Sequence, residues 1–140
     1  MAELKRRAKR AGAHNIETRL ISDNKVIKRL HEKADRLLID SPCSGLGVLK
    51  RNPDSKWKID QEFIDRIKKE QQEILQDYSK ILKKGGKMIY ATCSILPSEN
   101  NEQVELFLKN NENYSLLKEE KIMPSEGFDG FYMALIERKA

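Results

Sequence analysis

Between Asp60 and Leu82, apolar residues recur at Phe63, Ile64, Ile67, Ile74, Leu75, Tyr78, Ile81 and Leu82. This stripe, with a period of about 3.6, has to be buried along one side of a long helix. It predicts a helix over residues 60–82, closed by Lys83, Lys84, Gly85 and Gly86, because cations suit the carbonyl end and glycine permits a left-handed exit. Short apolar runs flank it. Leu20-Ile21 within residues 17–21 and Leu37-Leu38-Ile39 within 36–39 read as buried strands rather than as alternating surface ones, and a further strand follows the helix over 87–91. Strand, helix, strand at this spacing is a βαβ unit, so the expected fold is α/β around a parallel sheet. A last strand is expected at 131–137. A short helix is expected through Val26, Ile27 and Leu30, and another over 98–110 with Glu99 and Glu102 in its first turn and Val104, Phe107 and Leu108 facing inward. Residues 2–11 form a basic helix ended by Gly12.

Composition narrows the class. At 140 residues and 39% hydrophobic content the chain has room for one domain with a modest core. Its longest apolar runs are three or four residues, too short to span a bilayer, so no membrane partner is expected. No apolar segment follows Met1, and two cysteines are too few for a disulfide scaffold, which makes a reducing cytoplasm the expected location. The net charge of +5 is unevenly spread: residues 1–60 hold 15 Lys and Arg against 8 Asp and Glu, and residues 61–140 hold 12 against 14. A surplus of +7 in the first part suits a polyanion such as RNA, although a solvated charged face gives the same count.

In a parallel sheet, ligands collect outside the carboxyl ends of the strands. Two such ends stand out. Residues 36–39 run into Asp40-Ser41-Pro42-Cys43-Ser44-Gly45-Leu46-Gly47, and residues 88–91 run into Thr92-Cys93-Ser94-Ile95-Leu96-Pro97. Both cysteines are therefore expected at one sheet edge, in loops stiffened by proline and, in the first case, opened by glycine. Zinc would need further ligands, and His14 and His31 stand at no zinc-like spacing, so no metal is expected. A disulfide or redox pair and a purely structural role as small buried hydrophobes remain alternatives. Placement among Pro, Ser and Gly favours chemistry.

The stretch Asp40-Ser41-Pro42-Cys43-Ser44-Gly45-Leu46-Gly47-Val48-Leu49-Lys50-Arg51-Asn52-Pro53-Asp54-Ser55-Lys56-Trp57, together with Tyr90-Ala91-Thr92-Cys93-Ser94 and Glu99-Asn100, closely resembles the Sun (NOL/NOP/Sun, RsmB-like) family of S-adenosylmethionine-dependent RNA 5-methylcytosine methyltransferases. The likeness extends from the opening Arg7-Ala8-Lys9-Arg10-Ala11-Gly12-Ala13-His14-Asn15-Ile16 to the closing Gly127-Phe128-Asp129-Gly130-Phe131. It implies a thiol-addition chemistry. Carbon 5 of cytosine is a poor nucleophile until a thiolate adds to carbon 6, which creates an enamine able to take a methyl group. By resemblance Cys93 is that nucleophile, and Cys43 completes the reaction by helping to remove the carbon-5 proton and release the product. Asp40 would bond the cytosine edge at N3 or N4 and lie near the methyl donor, its alternative being a capping carboxylate. Asp23 stands near the place of the family's adenine-binding acid, although Ser22 and Asn24 depart from the usual pattern. Lys50 and Arg51, with Lys56, would meet RNA phosphate, unless they are simply solvated charges. Trp57 reads as packing beside a helix start more readily than as a base-stacking platform.

The resemblance also implies a Rossmann-like class I methyltransferase fold, truncated. The chain starts at what resembles the helix after the second strand, so the first two strands, the glycine-rich cofactor loop and the family's upstream lysine have no counterpart here. Residues 1–140 are then expected to be the carboxyl-terminal part of a single methyltransferase catalytic domain, partnered by an amino-terminal half. In the family strand order 3-2-1-4-5-7-6, strands four to seven should stay contiguous while residues 17–21 lose their neighbour. The expected activity is methylation of a cytosine in RNA, ribosomal RNA ahead of transfer RNA. The alternative is an inactive remnant that binds RNA through its basic face.

Overall fold

The computed structural model describes residues 2–21 and 24–140. Its elements are α1 (Ala2–Arg10), α2 (Asn24–Leu30), β1 (Ala34–Asp40), α3 (Gln61–Tyr78), β2 (Leu82–Thr92), α4 (Asn101–Asn110), β3 (Tyr114–Ile122) and β4 (Phe131–Arg138), with short 3-10 turns between them. The strands form one sheet in the order β1-β2-β4-β3. β1 runs parallel to β2, with Ile39 opposite Tyr90 and Asp40 opposite Ala91. β4 runs antiparallel to both β2 and β3. The last four strands of the expected order are thus contiguous, and the chain has the α/β architecture its sequence implies.

The apolar stripe of α3 explains the core. Asp60 caps the helix by accepting a 2.8 Å hydrogen bond from the Phe63 amide. One face then turns Ile67, Gln71 and Leu75 inward at four-residue spacing. Leu75 packs with Ile39, Leu82, Met88 and Tyr90 from the parallel pair, with Val104 and Phe107 from α4, and with Tyr114, Tyr132, Ala134 and Ile136 from β3 and β4. Along β4 burial alternates, as a sheet with one covered face requires. On the other face Leu38 is 68% exposed. No helix among the described residues is long and apolar enough to cross a membrane.

Four local expectations are corrected. Residues 17–21, expected as a strand, pair with no strand among the described residues, and Leu20 and Ile21 are exposed, as befits a segment with no ladder partner to take its amides and carbonyls. The long helix stops at Tyr78, short of Leu82. There Tyr114 Oη donates to the Ser79 carbonyl at 3.0 Å, and the amides of Glu32 and Lys33 donate to the carbonyls of Lys80 and Ile81, so tertiary partners replace the helical ones. The residues read as a helix stop, Lys83 to Gly86, instead form a bulge in β2: pairing jumps from Ala34 with Leu82 to Arg36 with Lys87, and Gly85 takes φ +71°. Trp57 is 80% exposed at the end of the turn Pro53–Trp57, with Lys56 Nζ 4.8 Å from its ring centroid, so it does not pack into the core.

Candidate active site

Because β1 and β2 are parallel neighbours, their carboxyl ends open side by side, and the loops that follow carry the two cysteines. The ladder continues one step past the strand, where the Ser41 amide donates to the Ala91 carbonyl at 2.9 Å. The first loop then folds onto the second: the Gly47 amide donates to the Cys93 carbonyl at 2.9 Å, and the Gly130 amide donates to the Gly47 carbonyl at 2.8 Å. Glycine is required at this crossing. A Cβ on Gly47 would stand 2.2 Å from the Gly130 oxygen and 2.7 Å from the Cys93 oxygen, and one on Gly130 would stand 2.5 Å from Ile95 Cγ2.

The result is a pair of free, half-buried thiols with their sulfurs 3.3 Å apart. Burial, and then the hydrogen bond with Cys93, pushes the Cys43 thiol up from 9.0 to about 12. Cys43 therefore keeps its proton at neutral pH and can donate it toward the Cys93 sulfur. Below the pair, Tyr90 donates its hydroxyl to the Glu99 carbonyl at 2.8 Å, and burial raises its phenol above the ordinary value.

Of the residues singled out in the sequence, the structure brings Cys43 and Cys93 into contact and sets Asp40, exposed, at the last position of β1 before the first cysteine loop. Lys50 and Arg51 lie exposed beyond that loop, and Arg51 Nε sits 2.7 Å from Asp129 Oδ2. Asp23 lies outside the described residues. No three His, Cys, Asp or Glu side chains among the described residues converge as metal ligands. At the carboxyl ends of β1 and β2 the described residues offer S-adenosylmethionine one exposed strand-end carboxylate, Asp40, and no glycine-rich cradle beyond the loop Gly47 closes. By themselves they do not fit that molecule.

Sequence reasoning missed what holds the thiols. Glu99 is fully buried, and its carboxylate accepts hydrogen bonds from the Ser44 amide at 2.7 Å, Ser44 Oγ at 2.6 Å, Gln71 Nε2 at 3.2 Å, and Ser94 Oγ. Asn100, also fully buried, accepts from Thr92 Oγ1 at 2.6 Å and donates to the Ser94 carbonyl at 3.0 Å. Position alone gave Glu99 the look of a helix-start acid. The available signal was Gln71, an amide set between Ile67 and Leu75 on the stripe α3 buries.

Three comparisons bear on this arrangement. The 16S rRNA methyltransferase RsmB/F family profile matches residues 1–137. Ribosomal RNA small subunit methyltransferase B of Proteus mirabilis is 42% identical over 106 residues, which cover 75% of this chain and 25% of that protein. The same-named protein of Vibrio cholerae is 39% identical over 115 residues, covering 77% and 26%. The chain thus spans about a quarter of the length of the curated relatives it matches. Among solved structures, PH0851 superposes with a TM-score of 0.91 at 30% identity, over 98% of this chain and 34% of that one. NSun6 from Pyrococcus horikoshii, solved with SFG, superposes at 0.85 over 99% of this chain and 38% of that one; at 23% identity it speaks to the fold alone.

Proposed function

The chain belongs to the 16S rRNA methyltransferase RsmB/F family, and from that premise we propose that it is the thiol-bearing part of an RNA cytosine-5 methyltransferase, the carboxyl-terminal portion of one catalytic domain. The observation that carries this reading is the 3.3 Å approach of two free thiols at the adjacent ends of parallel strands. Structural cysteines have no need to meet in a half-exposed pair, whereas addition to a ring followed by elimination needs two acid-base groups on one reacting site.

Cys93 is the nucleophile that adds to cytosine carbon 6. Its neighbour is suited to the second role. Cys43 holds its proton with a value near 12 while it faces a second thiol. The contact with Cys93 contributes to that rise, so it is relieved once the Cys93 sulfur is bonded to carbon. The Cys43 thiol then gives its proton to solvent more easily, and as thiolate it takes the carbon-5 proton while the carbon 6–sulfur bond breaks and Cys93 leaves as thiolate. Asp40, exposed at the end of β1, would bond the N3 or N4 edge of the same base. Lys50 and Arg51 lie beyond the first cysteine loop, where phosphates flanking an inserted base would pass.

The methyl donor would be S-adenosylmethionine, as the family resemblance implies, and the relatives are named as methyltransferases. Ribosomal RNA is favoured over transfer RNA as the substrate because the curated relatives are named for ribosomal RNA. The test is methyl transfer from labelled S-adenosylmethionine to cytosine-containing ribosomal RNA, with and without the portion of a relative that the match does not cover. Label in 5-methylcytosine in the complemented reaction supports the reading. RNA binding without label in either reaction would instead identify an inactive RNA-binding chain.

A further inference from the structure

We infer that Glu99 is the positioning residue that sets the approach of the two thiols, an inference that rests on reading Cys43 and Cys93 as the reacting pair. Each cysteine is bracketed by fixed groups. On one side of Cys43 the Pro42 carbonyl accepts from Gln71 Nε2 at 2.9 Å, and on the other the Ser44 amide and hydroxyl both donate to Glu99. On either side of Cys93, Thr92 Oγ1 donates to Asn100 and Ser94 Oγ donates to Glu99. Glu99 bonds the residue that follows each cysteine, Ser44 and Ser94, whose hydroxyls also lie 3.3 Å from each other, so a single carboxylate spans both loops. It is itself anchored, since its carbonyl accepts from Tyr90 Oη at 2.8 Å and its amide donates to the Leu96 carbonyl at 3.1 Å.

The burial of this group argues for a geometric role. A carboxylate withdrawn from water costs stability unless donors replace the water, and apolar packing is the easier way to fill such a space. Here neutral donors surround the carboxylate on both oxygens, and they come from β1's loop, β2's loop and α3. What such a network supplies is a single relative placement of the two loops, because any slippage would strand a buried polar group.

Disulfide closure measures that placement without RNA or a methyl donor. One cysteine thiolate attacks a sulfur of glutathione disulfide and releases glutathione. The second thiolate then attacks the mixed disulfide and releases the other glutathione, so two protein thiols and one glutathione disulfide become one protein disulfide and two glutathione thiols. The partition between intramolecular closure and a second glutathionylation gives the effective molarity of the pair. The protein should close without detectable mixed disulfide. Glu99→Ala should lower the effective molarity by about 10-fold or more and accumulate mixed disulfide, while Glu99→Gln, whose amide can donate to the two serine hydroxyls, should keep it within about threefold. Circular dichroism and urea unfolding check that each variant is folded. If Glu99→Ala does not fold, Ser94→Ala, which removes one hydroxyl from the bridge, should still lower closure. Unchanged closure in the folded Ala variants overturns the inference, and so does a loss in Glu99→Gln equal to that in Glu99→Ala, which would mean charge acts rather than placement. Reduced closure together with failure of methyl transfer by the unsubstituted protein would refute the proposed reaction and leave the positioning role standing.

Discussion

Gly47→Ala should cost far more stability than an alanine at a glycine that merely adopts a left-handed backbone. The added Cβ would stand 2.2 Å from the Gly130 oxygen and 2.7 Å from the Cys93 oxygen, both backbone atoms of other loops. Ordinary contact begins near 3.4 Å, so the loops must separate by about 1 Å. That separation spoils the amide bonds from Gly47 to Cys93 and from Gly130 to Gly47, at 2.9 and 2.8 Å. Overpacking of this kind costs about 1–3 kcal/mol, and each weakened hydrogen bond adds about 0.5–1.5 kcal/mol. The expected loss is therefore about 2–6 kcal/mol. Gly85→Ala is the control: at φ +71° with nothing within 4 Å of its Cβ, it meets left-handed strain but no clash, and strain alone costs about 1–2 kcal/mol. Urea unfolding of the two variants, with equal slopes, gives the difference directly. A Gly47→Ala loss no larger than that of Gly85→Ala would refute the claim that three loop backbones close on one another at the thiol pair.

Further predictions concern titration and RNA. Cys43 ionises at about 12 in the folded chain against 9.0 ordinarily, so both states bind the thiol proton below pH 9.0 and the stability is intact there. Above it the unfolded state loses the proton first, and stability should fall as pH rises from 9.0 toward about 12, a slope that Cys43→Ser removes in urea midpoints. At about pH 8 iodoacetamide should label Cys43 roughly 100-fold or more slowly than a free thiol; labelling at the free rate would contradict the buried pair. Lys50→Ala should reduce the log-log salt slope of RNA binding by about 0.7 to 0.9. Arg51→Ala should change it less, because Asp129 already holds that guanidinium; an unchanged slope in both variants would remove the loop from the RNA path.

The parts of this architecture that local pattern governs were legible in the sequence. The period of α3, the two apolar runs that became β1 and β2, and the Pro, Ser and Gly that follow them are all set by residues within a few positions of each other. Their parallel pairing brought the cysteines to one edge, as the βαβ spacing implied. Insertion of β4 between β2 and β3 is a long-range choice, visible only through the family resemblance. The errors share one cause. Tyr114, distant in sequence, helps end α3 at Tyr78, and the lack of a neighbouring strand leaves residues 17–21 unpaired. Glu99 was hidden for the same reason, since its partners Ser44 and Gln71 are 55 and 28 positions away.

The division of labour between the two thiols is the central claim, and the most direct test is a denaturing gel of the complemented enzyme with RNA and S-adenosylmethionine, followed by mass spectrometry of the bound peptide. Cys43→Ala should trap a covalent RNA–protein adduct through Cys93, because addition proceeds while release fails. Cys93→Ala should give none. A trapped adduct in Cys93→Ala and none in Cys43→Ala would exchange the two roles, and no adduct in either variant would contradict thiol addition altogether.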